Sequence, residues 1–137
     1  MVSGGGNTAA CSDSTRGIWG SYTTLEYITI DTPATSISFG TLGNNQGADP
    51  ASCADATRGL WLGGEPSADT DAISYVTIQT PANSTDFGNL STARRQHSAV
   101  ADTTRGCDAG GYTGSRLTSI EYVTIQTPSN ASSFGDL

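Results

Sequence analysis

Lysine is absent from this chain of 137 residues, and glutamate occurs three times. With so few strong helix formers, and with Gly, Ser and Thr abundant, a helical protein is not expected. The formal net charge is −7, which argues against nucleic acid as a partner and favours solubility. Cysteine is limited to Cys11, Cys53 and Cys107, an odd count that makes no disulfide framework. No Cys-x-x-Cys pair occurs, and the single histidine cannot build a zinc site, so no metal or cofactor is implied. No stretch approaches the ~20 apolar residues of a membrane helix, so no membrane partner is expected. Residues 1–10 are Gly-rich and carry neither the basic stretch nor the apolar run of a signal peptide. A cytoplasmic or virion-associated location is therefore expected.

What the chain does contain is repetition. Ile120-Glu121-Tyr122-Val123-Thr124-Ile125-Gln126-Thr127-Pro128 leads to Phe134-Gly135-Asp136-Leu137. The same pattern runs from Ile73 to Leu90 and from Leu25 to Leu42 without a gap. Ahead of each copy stands a second block, Asp13-Ser14-Thr15-Arg16-Gly17, Asp55-Ala56-Thr57-Arg58-Gly59 or Asp102-Thr103-Thr104-Arg105-Gly106. A threefold repeat with a period of roughly 47 residues points to a propeller, solenoid or array.

Each repeat reads as four short strands. Strand a is a run of small residues (about 8–12, 50–54 and 97–101). Strand b follows the Asp-x-Thr-Arg-Gly corner (about 16–20, 58–62 and 105–109). Strand c carries the Tyr (25–31, 73–79 and 120–126). Strand d ends in Phe-Gly-x-Leu (about 36–40, 84–88 and 131–135). Asp at the a–b corner suits an Asx-turn, and Thr-Pro at the c–d corner is turn chemistry. Short, evenly spaced strands indicate an all-β protein. Along strand c, Ile73 and Tyr75 point one way while Val76 and Ile78 point the other. A sheet with one face in water alternates cleanly, so each sheet is expected to be packed on both faces. That favours propeller blades, about 6–42, 48–90 and 95–137, over a threefold β-prism or β-trefoil lectin.

Arg94-Arg95-Gln96-His97-Ser98-Ala99-Val100, the Gly63-Gly64 and Gly110-Gly111 pairs after strand b, the strand-c Tyr and an aromatic in strand d together resemble the kelch repeat. Phe39, Phe87 and Phe134 stand where kelch repeats usually carry Trp, and the first repeat has Gly20-Ser21 in place of the diglycine. The Asp-x-Thr-Arg-Gly and Phe-Gly-x-Leu motifs also look like repeats of long phage and environmental bacterial proteins. The resemblance implies a propeller of mostly binding or scaffolding function. It transfers no catalytic residue, because the family motif is structural.

Arg16, Arg58 and Arg105 recur at one repeat position, as do Tyr27, Tyr75 and Tyr122. Residues present in every blade are expected to build the blade, the arginines by tying neighbours through backbone carbonyls or carboxylates. Cys11 and Cys53 share a position with Val100, which marks a small apolar core slot. Asn83-Ser84-Thr85 and Asn130-Ala131-Ser132 match the glycosylation acceptor pattern, with Asn expected to serve the turn. Glu65, Asp69 and Asp71 share one b–c loop, without the spacing of an EF-type Ca²⁺ loop. His97 has no nucleophile and orienting acid that the sequence pairs with it.

The b–c and d–a loops vary most between repeats and are expected on one face of the disc, where binding usually sits. Tyr22, Arg94, Arg95, His97, Tyr112 and Arg116 are the candidate ligand-binding residues there, for a glycan or protein ligand. The expected function is non-enzymatic binding or scaffolding. A glycan-active or hydrolytic propeller, with acids drawn from Glu65, Asp69 and Asp71, is the competing class. Three blades cannot close a ring when propellers hold ~4–8. The first and last repeats carry no polar cap. Self-assembly is therefore expected, as a six-bladed homodimer first and a nine-bladed trimer second.

Overall fold

The computed structural model describes residues 8–44 and 46–137. Residues 1–7, which include the first two positions expected for blade one, and Asn45 in the first d–a loop lie outside the described residues. Among the described residues there is no helix; the chain forms three four-stranded antiparallel sheets, each a meander in chain order. The first holds β1 (Ala9–Ser12), β2 (Arg16–Ser21), β3 (Thr24–Thr29) and β4 (Ile37–Thr41). The second holds β5 (Ala51–Ala54), β6 (Arg58–Leu62), β7 (Ala72–Thr77) and β8 (Thr85–Asn89). The third holds β9 (Ser98–Ala101), β10 (Arg105–Ala109), β11 (Ser119–Thr124) and β12 (Ser132–Asp136).

The corners follow from the repeated residues. Asp13 Oδ1 accepts from the Thr15 and Arg16 amides, both at 2.7 Å, and Asp55 and Asp102 repeat this in their own turns. These are the expected Asx-turns. Strand c ends earlier than its apolar run. The Ile30, Ile78 and Ile125 amides leave the ladder and donate to the Thr15, Thr57 and Thr104 carbonyls of the a–b turn. Strand b has no residue left to pair there, so the turn supplies the acceptor.

Strand d lies about one residue later than its motif suggests, and a register shift opposite Leu25/Glu26, Ile73/Ser74 and Ile120/Glu121 accompanies it. The glycine of Phe-Gly-x-Leu explains the choice of residue there. A Cβ on Gly88 (φ 145°) would lie 2.4 Å from the Ser129 carbonyl oxygen of the third sheet's c–d turn. A Cβ on Gly40 would likewise collide with the Ala82 carbonyl of the second sheet, at 2.2 Å.

The sheets stack face to face, with the strand-a edges of β1, β5 and β9 side by side. Ser52 Oγ in β5 donates to the Ala10 carbonyl in β1 at 2.7 Å. Between the first and second sheets, Cys11, Ile18, Leu25, Phe39 and Leu42 meet Trp61, Val76 and Ile78. Between the second and third, Cys53, Leu60, Leu62, Phe87 and Leu90 meet Val123 and Ile125. Strand β6 thus sends Trp61 to one neighbour and Leu60 and Leu62 to the other. The second sheet is buried on both faces, as the two-sided apolar pattern of strand c demands.

Candidate functional site

Each sheet carries the same clamp. Tyr and Phe meet edge to face, Tyr27 with Phe39 and Tyr75 with Phe87 at 5.9 Å, and Tyr122 with Phe134 at 6.1 Å. The repeated Arg lies over the Tyr ring, at 4.3, 4.2 and 4.9 Å for Arg16, Arg58 and Arg105. Its guanidinium then reaches the next sheet. Arg16 Nη1 donates to the Ile78 carbonyl at 2.8 Å, and Arg58 Nη1 to the Ile125 carbonyl at 2.9 Å. The junctions are tied by backbone carbonyls, one of the two partner types expected. The turn asparagines add a second tie that the sequence does not announce. Asn83 Oδ1 accepts from the Thr41 amide and Asn130 Oδ1 from the Asn89 amide, each across a junction.

The b–c and d–a loops gather at one end, where they are knitted by backbone pairing. Tyr22 bonds to Gly47, Ala48 exchanges two hydrogen bonds with Glu65, and Arg95 exchanges two with Tyr112. Of the six candidate ligand-binding residues, Tyr22 is 46% exposed. Arg95 lies 5.2 Å from the Tyr112 ring and ion-pairs through Nη1 with Glu65 at 2.9 Å and Asp69 at 2.5 Å. Two of the three acids of this loop are thereby committed to one guanidinium. Arg116 and Tyr112 line a cleft with His97, Ser98, Ala109 and Leu137, of about 500 Å³.

Arg94 and His97 turn inward, unlike the surface placement expected of them. The Arg94 side chain is fully buried. Its Nη2 donates to Glu121 Oε1 at 2.6 Å and Ser119 Oγ at 3.1 Å, its Nη1 to the Gly110 carbonyl at 3.1 Å. Asp108 Oδ2 stands 3.5 Å from the same Nη1, and Asp108 Oδ1 meets His97 Nδ1 at 2.5 Å. Burying these charges is sustained only by mutual pairing. The physical reason lies in repeat alignment. Gln46 occupies the Arg94 position one repeat earlier and fills the same slot, its Nε2 donating to the Trp61 and Ala72 carbonyls at 2.7 and 2.8 Å. Asp108 stands where the other repeats have Trp19 and Trp61. An acid at a tryptophan position, with Arg94 close upstream, was the available signal for this network.

The a–b turns bring Asp13, Asp55 and Asp102 along one shallow groove. Burial pushes the Asp13 and Asp55 carboxyls up, but hydrogen bonds from Gln79 and Gln126 and from the turn amides outweigh it and hold both below the usual range. The Arg105 and Thr104 amides do the same for Asp102. All three stay ionised at neutral pH, and an ionised carboxylate cannot act as a general acid.

The two end faces differ from the two junctions. On the first sheet Trp19 is 37% and Ile30 47% exposed, whereas the repeat-equivalent Trp61, Ile78 and Ile125 are fully buried. On the third sheet Val100 is 70%, Phe134 57% and Leu137 76% exposed, whereas their equivalents Cys11, Cys53, Phe39, Phe87, Leu42 and Leu90 are all buried. The cleft beside Leu137 belongs to this face. At the first junction Trp61 packs against Gly20 and directs Nε1 to the Ala9 carbonyl at 3.3 Å. The third-sheet equivalents of Gly20 and Ala9 are Ala109 and Ser98, and both line the cleft. The cleft thus lies on the third sheet at the repeat position where the first sheet receives Trp61 of the second.

No protein-family model matches the chain, and no curated protein matches it in sequence.

Proposed function

We propose that this chain is a non-enzymatic β-propeller module for binding or scaffolding, whose three sheets act as blades and close into a six-bladed ring with a second copy. The observation that carries this reading is the complementarity of the end faces. The face of the third sheet bearing Val100, Phe134 and Leu137 and the face of the first sheet bearing Trp19 and Ile30 are the two halves of a contact that the chain makes twice internally. Gly135 supports it. Its φ of 156° repeats that of Gly40, yet nothing within 4 Å forbids a side chain. At Gly40 and Gly88 the neighbouring sheet is what requires glycine. In the ring, Trp19 enters the cleft beside Leu137, and Arg105 donates to the Ile30 carbonyl as Arg16 and Arg58 do to Ile78 and Ile125. Each contact is head-to-tail and the ring closes, as a twofold about the propeller axis requires. A nine-bladed trimer would use the same contact. The kelch resemblance agrees with a binding or scaffolding role, and a virion or cell surface is a setting that suits it.

Ligand contact is assigned to the loop end, through Tyr22, Arg95, Tyr112 and Arg116, with a glycan or protein as the ligand class. Tyr22 and Arg116 are exposed and Arg95 and Tyr112 half-buried, and aromatic and arginine side chains on a rigid scaffold are the residues that most often dominate binding. Tryptophan emission tests the assembly. Trp61 is buried in every state, so the difference between wild type and Trp19→Phe reports Trp19 alone. Its emission should shift to the red and become open to acrylamide when the protein is diluted from micromolar to nanomolar concentration. Full quencher access to Trp19 at every concentration would overturn the reading.

A further inference from the structure

At both internal junctions a glutamine spans the a–b turn of the preceding sheet. Gln79 Nε2 donates to Asp13 Oδ2 at 2.5 Å and Thr15 Oγ1 at 2.9 Å. Gln126 Nε2 donates to Asp55 Oδ2 at 2.6 Å and Thr57 Oγ1 at 2.8 Å. The residue at this repeat position in the first sheet is Asp31. An ionised carboxylate only accepts hydrogen bonds, so it cannot replace the glutamine. In the ring proposed above it would meet Asp102 and Thr104 of a second copy; Asp102 Oδ1 is already taken by the Thr104 and Arg105 amides.

We propose that closure of the ring is proton-linked through Asp31, which pairs with Asp102 of the second copy by holding one proton between the two carboxyls. This rests on the ring reading above and names the group that regulates it. Two carboxylates forced into one site cannot both stay ionised at low cost. A proton on Asp31 turns it into the donor that Gln79 and Gln126 supply elsewhere. The proton comes from solvent and returns there when the ring opens, so no bond beyond O–H is made or broken.

The other charged groups at the junction are accounted for. On the third sheet Arg105 stacks on Tyr122 and, by the pattern of Arg16 and Arg58, turns to the Ile30 carbonyl. On the first sheet Asp13 and Arg16 are spent on Gln79 and the Ile78 carbonyl of the second sheet. By this pattern each guanidinium is committed to a backbone carbonyl. The closing junction is thereby the weakest of the three at neutral pH.

The test compares the association constants of wild type, Asp31→Gln and Phe134→Ala by sedimentation velocity. Wild type should associate about tenfold more tightly at about pH 5 than at about pH 7.5, because each closing junction takes up a proton. Asp31→Gln should associate at neutral pH at least as tightly as wild type in acid, and lose most of the pH dependence. Phe134→Ala should stay monomeric and fix the baseline. If wild type associates but Asp31→Gln gives no gain, or keeps the same pH dependence, the proton link is wrong while the ring stands. If neither wild type nor Asp31→Gln associates at any pH, the ring reading fails and takes this one with it. Calcium that tightens wild type at neutral pH but leaves Asp31→Gln unchanged would put a metal ion in place of the proton and overturn the proposal.

Discussion

Phe87 and Phe134 hold the same place in consecutive repeats, make the same edge-to-face contact with a tyrosine, and live in different surroundings. Phe87 is 3% exposed beneath the third sheet; Phe134 is 57% exposed with no sheet beyond it. The local structure of a repeat is therefore complete without its neighbour, whereas its burial is not. A strand, its corner and its aromatic pair form from residues within one repeat. The stability of an apolar face depends on the repeat that follows, as in any quasi-one-dimensional array.

Substitution should separate the two faces most sharply. Phe87→Ala removes a filled contact and should cost about 3–5 kcal/mol in urea unfolding. Phe134→Ala, compared with wild type at a concentration where both are single chains, should cost no more than about 1 kcal/mol, since little buried surface is lost. Equal costs for the two would erase the distinction between junction and open face.

The second pair compares the two occupied junctions. Arg94→Ala leaves Asp108 and Glu121 buried without their cation and should destabilise the fold by about 3–5 kcal/mol. Gln46→Ala leaves only neutral carbonyls unpaired and should cost about 1–3 kcal/mol. A larger loss from Gln46→Ala, measured by the same unfolding curves, would mean that the charged network contributes little.

A smaller contrast concerns the clamps. Arg58→Ala should cost about 1.5–3 kcal/mol through the lost bond to the Ile125 carbonyl. Arg105→Ala, measured in the dilute monomer, should cost less, because its guanidinium reaches no second sheet. The thiols give the mildest test. Burial pushes the Cys53 thiol up to about 12 and raises Cys11 as well, so both should resist a thiol reagent in native buffer. Cys107, half-buried on the open face of the third sheet, should label first and become protected as concentration rises. Labelling of all three at one rate would contradict the burial assigned to that face.

Much of this was legible in the chain. The four-strand repeat, the Asx corners and the two-sided packing of the second sheet follow from period, turn residues and alternation, which are local properties; the first and third sheets, expected to be packed on both faces, are packed on one. The Cys11 and Cys53 slots follow from a position that tolerates Cys or Val. What sequence could not place was the inward turn of Arg94 and His97. Arg94 pairs with Glu121 and His97 Nδ1 with Asp108, residues 27 and 11 positions away, across loops whose path no periodicity encodes. Nor did the Asn83 and Asn130 motifs show that their oxygens tie one sheet to the next, because that depends on how closely two sheets approach. The glycine of Phe-Gly-x-Leu is the same kind of residue. Its reason lies in the neighbouring repeat rather than its own.

The most direct measurement is the molar mass of the purified chain by light scattering at low micromolar concentration. One chain has a mass of 14.0 kDa. Ring closure predicts a folded species of twice that mass, or three times for the nine-bladed alternative, falling to a single chain in Phe134→Ala. A wild-type protein that is folded and stable at the mass of one chain would contradict the account.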